Sequence, residues 1–179
     1  SGSNVENIHN YFVSSEHIKI ACVLCNKPDA YVFERATRLK LDFLLFNRSD
    51  FAENGIVDTY LSEKYINFIV LAGFLWLIPE WMVKKYPNRI INIHPALLPK
   101  YGGKGMYGDN VHKAVHENKE TETGITIHFV NEHYDEGNII YQHKVKIDAT
   151  DTPDSIAAKV HELEYKFFPT IIEKIAVNL

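Results

Sequence analysis

The sequence predicts an α/β domain, with a mostly parallel central sheet, helices on both faces and an antiparallel pair of strands near its carboxyl-terminal end. Three observations carry this reading. Short apolar, β-branched runs alternate with helix-like segments along the chain. The last two strand-like runs follow one another without room for a helix, which calls for an antiparallel pair. A length of 179 residues, with 46% hydrophobic and 23% charged residues, suits a single sizeable core.

In chain order, Val5–Phe12 is helix-like and Ile18–Leu24 reads as the first strand. The helix-like Val32–Leu39, the strand Asp42–Phe46 and a longer helix-like stretch, Phe51–Tyr65, follow. Phe68–Phe74 opens the longest apolar run, Phe68–Pro79, which falls short of the roughly 20 residues that span a bilayer and reads as a buried strand with its turn. Glu80–Tyr86 is helix-like. Arg89–His94 alternates as a strand and stops at Pro95, which cannot donate to a sheet ladder. After the helix-like Asn110–Asn118 come the paired strands Gly124–Val130 and Ile139–Ile147. The final helix, Pro153–Ile175, is the best marked. Thr152 is its N-cap, Pro153 takes the first helical position, and Ile156, Val160, Leu163 and Phe167 fall at helical spacing. Pro169 is expected to kink or end that helix, with a second segment beyond it. With no repeat, low-complexity tract or linker, residues 1–179 read as one domain.

A formal net charge of -4 offers no positive field for nucleic acid. Ser1–Asn10 is polar and does not resemble a signal peptide, so a soluble protein of a reducing cytoplasm is expected, away from membranes. Cys22 and Cys25 have C-x-x-C spacing. They fall on or just beyond a strand, where residues three apart point to opposite faces, and read as two buried soft hydrophobes rather than a redox or zinc pair. The nine histidines contain no zinc-ligand set, and no metal is expected. His112 and His116, four apart, read as a solvated helix face.

The chemistry concentrates in Arg89–Gly108, RIINIHPALLPKYGGKGMYG. Asn92 and His94 lie two apart on one strand face, at the carboxyl end that borders the ligand crevice of open α/β sheets. The string from Asn92 to Tyr101, NIHPALLPKY, resembles the signature N-x-H-P-[SA]-L-L-P-x-[YF] of folate-dependent formyltransferases. Leu71-Ala72-Gly73-Phe74 resembles the family's strand leading into its folate pocket. Gly124–Val130 resembles its G-x-[ST]-[VI]-H-x-V strand, and Asp135–Ile140 its D-x-G-x-[IV]-[IL] segment. The resemblance spans essentially the whole chain and implies a Rossmann-like formyltransferase fold.

It implies the following chemistry. Asn92, His94 and Asp135 would be catalytic. Asn92 and a charged His94 would donate to the oxygen of the attacked formyl group, and Asp135 would orient the imidazolium and favour its charge. 10-Formyltetrahydrofolate would be the formyl donor, its ring lying against Phe74, Leu75, Trp76, Leu77 and Ile78 beside Asp135. Trp76 departs from the family, which commonly has an Arg there, and Gly102–Gly108 is a longer, glycine-rich loop that reads as a mobile lid or a plain surface loop. Asp135 is expected within about 7 Å of the His94 ring, near enough for one bridging water.

Family members act on glycinamide ribonucleotide, on methionyl-tRNA or as formyltetrahydrofolate hydrolases. Ser1-Gly2-Ser3-Asn4 resembles the end of the G-x-G-S-N phosphate loop of the glycinamide ribonucleotide branch, although Ser-Gly-Ser also reads as a cloning remnant. On that resemblance Gly2, Ser3 and Asn4 would hold the phosphate, Glu164 would accept the ribose hydroxyls, and the partners would be two small molecules met by a monomer or homodimer. Another family activity and a catalytically silent binding module are the alternatives. A nicotinamide dehydrogenase is disfavoured, since no G-x-G-x-x-G follows a strand. The family's phosphate loop hangs from a central first strand, which this sequence lacks. One apolar strand ending in Gly is therefore expected upstream of Ser1.

Overall fold

Strand and helix alternate through the computed structural model, which describes residues 2–178. The elements are α1 (Ser3–Phe12), β1 (Cys22–Cys25), α2 (Val32–Arg38), β2 (Asp42–Leu45), α3 (Ile56–Glu63), β3 (Ile69–Ala72), α4 (Glu80–Lys85), β4 (Ile90–His94), α5 (Asp109–Glu117), β5 (Glu122–Phe129), β6 (Ile139–Lys146) and α6 (Pro153–Ala176). β1 and β2 pair in parallel, as do β3 and β4. β4 pairs antiparallel with β5, and β5 with β6, giving the antiparallel end expected from the sequence. The two parallel pairs belong to separate sheets, of order β1-β2 and β3-β4-β5-β6.

Period-two alternation divides β4 between two cores. Ile91 and Ile93 pack with Ile125 and Ile127 of β5 against Ile8 and Phe12 of α1 and Val160, Phe168 and Ile172 of α6. Ile90 packs on the opposite face with Val57 and Leu61 of α3 and Met82 of α4. Helices therefore cover both faces. Asn92 and His94, in phase with Ile90, emerge on the α3/α4 side at the carboxyl end of a strand paired along both edges.

Several details differ from the expectations. The helix expected from Phe51 begins only at Ile56, because Asn54 is left-handed at φ 59° and Gly55 packs where a Cβ would meet the Asp50 carbonyl at 2.5 Å. α6 runs through Pro169 as one helix. The proline has no N–H for the Tyr165 carbonyl one turn back, and the Asn7 amide of α1 donates to that carbonyl instead, at 2.9 Å. Thr152 and Ser155 close a reciprocal capping box at the start of α6. Cys22 and Cys25 are free and only half-buried, since they line an opening between the sheets. His112 is not on a solvated face. It is buried where α5 packs on α6, whereas His116 is exposed. Among the described residues no helix is long and apolar enough to cross a membrane.

Candidate active site

The segment after Pro95 is pinned by one buried threonine. Thr126 of β5 donates to the Ala96 carbonyl at 2.6 Å and accepts from the Leu98 N–H at 3.0 Å and the Gln142 amide at 2.9 Å. This fixes the turn that leads the chain off β4. Tyr101, left-handed at φ 57°, then returns its carbonyl to His94 Nε2 at 2.7 Å.

Asp135 arrives from the other side, on the turn between β5 and β6. Its φ of 56° is a left-handed conformation that aspartate tolerates better than most residues. Two residues on, Gly137 lets that turn lie against β5, since a Cβ there would sit 1.7 Å from the Phe129 carbonyl. Asp135 Oδ2 thereby lies 3.5 Å from His94 Nδ1, well inside the expected 7 Å, and accepts from the Gly103 N–H at 3.0 Å. The glycine-rich loop is thus anchored to the carboxylate. Asp135 Oδ1 lies 3.5 Å from both the Asn92 amide and His128 Nε2. Antiparallel register sets Asn92 directly opposite His128, and the Asn92 amide reaches His128 Nε2 at 3.2 Å. His128 Nδ1 faces the Phe129 carbonyl at 2.8 Å, so Nδ1 carries the hydrogen and Nε2 accepts from Asn92.

Burial pushes the His94 pKa below its ordinary value; the Asp135 charge and the Tyr101 carbonyl oppose this without reversing it. The charged imidazolium expected from the Asp135 partnership is therefore not favoured at neutral pH, because desolvation outweighs the carboxylate. Burial also works to raise the Asp135 pKa, but contacts with His128, His94 and the Gly103 N–H leave it below the usual carboxylate value. The neutral His94 ring, with its hydrogen on Nε2 toward Tyr101, turns the bare Nδ1 toward an ionised carboxylate.

A second cluster joins the two ends of the fold. Gly2, left-handed at φ 73°, caps α1, and Ser3 and Asn4 form the first turn of that helix rather than a loop before it. Ser1 lies outside the described residues. A Cβ on Gly2 would sit 2.6 Å from Val32, so only glycine fits the approach to α2. The Asn4 amide donates to Glu164 Oε2 at 3.0 Å, and Asn4 Oδ1 is buried without a hydrogen-bond partner. Glu164, itself buried, also faces His161 Nδ1 at 3.1 Å, and this contact raises the His161 pKa despite partial burial. The Glu164 charge acts on His94 as well, which places both clusters on one crevice.

Of the residues expected against a flat ring, Phe74, Trp76, Leu77, Ile78 and Asp135 line a small cavity of about 50 Å³ beside Asn92 and His128. Leu75 does not; it lines the larger opening between the sheets. Trp76 packs among Phe46, Phe51 and Phe74, with the Arg48 guanidinium 4.1 Å above its ring. Sequence reasoning assigned no role to His128, His161, the Tyr101 carbonyl or the Gly103 N–H. His128 was visible as the histidine of the β5 motif, but its partner depends on a strand register that the motif does not encode.

The family model described as formyl transferase matches residues 1–172. The chain is 39% identical over 178 residues to a chloroplastic phosphoribosylglycinamide formyltransferase of Arabidopsis thaliana, covering 96% of this chain and 61% of the relative. It is 36% identical to phosphoribosylglycinamide formyltransferase of Haemophilus influenzae, covering 96% and 81%. The chain thus spans about three fifths of the length of the plant relative. Among solved structures, phosphoribosylglycinamide formyltransferase of Anaplasma phagocytophilum superposes with a TM-score of 0.88 at 29% identity, over 99% of this chain and 82% of that one.

Proposed function

Because the chain belongs to the formyl transferase family, we propose that it moves a formyl group from 10-formyltetrahydrofolate to the primary amine of glycinamide ribonucleotide, a step of de novo purine biosynthesis. The observation that carries this reading is the confrontation of His94 Nδ1 with Asp135 Oδ2 at 3.5 Å in a buried site. Two acceptors face each other there, and one proton between them converts repulsion into a hydrogen-bonded ion pair. A store for one proton is what formyl transfer needs. The amine loses a proton as its nitrogen bonds to the formyl carbon, and the folate nitrogen gains one as its bond to that carbon breaks. His94 and Asp135 receive the first proton and return the second.

Asn92 supplies the donor for the formyl oxygen, which gains negative charge during attack. Its amide gives up the long contact to Asp135 and keeps the 3.2 Å bond to His128, which holds it in place. A donor so placed is worth about 3 kcal/mol of barrier. The folate brings an activated formyl carbon. Phe74, Trp76, Leu77 and Ile78 offer a flat ring apolar walls, and the Asp135 turn offers it polar atoms; a cavity of about 50 Å³ must widen to admit it. At the other end, the start of α1 at Gly2, Ser3 and Asn4 suits a phosphate. Glu164 and the unpartnered Asn4 Oδ1 suit the hydroxyls of a ribose.

The test is incubation with glycinamide ribonucleotide and 10-formyltetrahydrofolate, following deformylated folate by absorbance. Turnover that requires the ribonucleotide is expected. Equal turnover without it would identify a hydrolase, and none under either condition would identify a binding module; each sinks this reading.

A further inference from the structure

Between the two sheets lies an apolar slot of about 640 Å³. Two of its walls are strand edges. β1 pairs only with β2 and β3 only with β4, so residues 22–25 and 69–72 each turn an unpaired edge to the slot. Such an edge carries alternating N–H and C=O groups and accepts a further strand. The remaining walls are apolar, with Val5, Ile8 and Phe12 of α1 among them. Parallel strands with helices on both faces are ordinarily buried. β4 follows that rule, but Cys22, Leu24, Ile69, Val70 and Leu71 remain partly exposed.

The walls select the occupant. A small apolar molecule fills volume but leaves two rows of peptide groups unpaired. A second copy of the chain abuts an outer edge more readily than it enters a slot beneath α1. A single extended strand alone pairs with both edges and packs on both faces. Gly2 lines the same slot. A strand that runs parallel to β1 and ends beside Gly2 passes directly into α1, which returns the chain to the start of β1. That path is the strand–helix–strand crossover of parallel sheets.

We propose that the slot is a strand-acceptor site: it takes one apolar β-strand, parallel to β1 and β3 and covalently continuous with residue 1, and joins the two sheets into one. The usual strand length of about 5–6 residues is sufficient. Both faces of the occupant are covered, so its chemistry is a continuous aliphatic run rather than alternation.

The test appends three seven-residue leaders ahead of residue 1. One is apolar, Arg-Val-Ile-Val-Leu-Ile-Ser. In the second, serine and asparagine replace the aliphatic positions. In the third, prolines at the third and fifth positions of the apolar leader remove its N–H groups. Amide hydrogen exchange, followed by mass spectrometry, reads residues 22–25 and 69–72. The apolar leader is expected to slow exchange in both segments by on the order of 100-fold relative to the other two, independently of protein concentration. If only the apolar-leader protein is soluble and unfolds cooperatively, the proposal is equally supported, because the leaders differ only in ability to pack and pair. Equal exchange with all three, protection of one segment alone, protection that grows with concentration, or an apolar-leader protein that does not fold would each overturn it.

Discussion

At the scale of single residues, the site is two acceptors held together by burial. If their task is to take and return a proton, removing the base abolishes chemistry while leaving binding in place. His94→Ala is expected to lower kcat by at least about 1,000-fold with KM nearly unchanged. Turnover within tenfold of the parent protein removes His94 from the mechanism. Asp135 raises the His94 pKa against the stronger effect of burial. Asp135→Asn should therefore move the acidic limb of kcat/KM to lower pH as well as reduce the rate; an unmoved limb argues that the two do not act as a unit. The depressed histidines also govern stability. His94 and His112 both lie below their ordinary value through burial, so the unfolded chain binds protons that the folded one refuses. Their contribution is whole above about pH 6.5 and falls as pH drops from there toward the folded values. His161, raised by Glu164, works in the opposite sense. His112→Phe should flatten the fall of Tm between about pH 6.5 and 5; an unchanged slope would show that His112 titrates normally. Asn92 and His94 were legible because strand alternation and Pro95 are local signals, and Asp135 because a family segment surrounds it. The burial of His112 was not legible, since the side of α5 that it faces depends on where α6 lies.

At the scale of elements, the sequence located every helix and strand and missed where some of them stop. Asn54 and Gly55 delay α3 through backbone geometry that apolar periodicity does not report. Pro169 was read locally, as a break, while the remedy for its missing N–H lies 158 residues away in Asn7. That remedy is testable by a double-mutant cycle. Asn7→Ala should cost about 1 kcal/mol by leaving the Tyr165 carbonyl to water. The cost should shrink when Pro169→Ala restores the intrahelical donor, whatever Pro169→Ala costs on its own. Additive effects in thermal unfolding would show that Asn7 does not compensate for the proline.

At the scale of the whole molecule, two cores back the sheet, and α6 ties one of them to the site. Phe168 is fully buried in that core, four residues beyond Glu164 on the same helix. Phe168→Ala should cost about 3–5 kcal/mol, read as a lower denaturant midpoint. A cost below about 1 kcal/mol would mean the core repacks freely. The substrate-side cluster has another consequence. Asn4 and Glu164 stand 160 residues apart, and Tyr11 and Glu173 join the same two helices at 162. During translation α1 emerges long before its partner exists, and nascent chains order from the amino-terminal side first. A ribosome stalled anywhere before α6 therefore releases a chain with half a crevice. Such a product carries Asn92, His94 and Asp135 intact and still cannot grip an acceptor. Activity in a cell would then count finished chains only, with no contribution from fragments, however much of the sheet they contain.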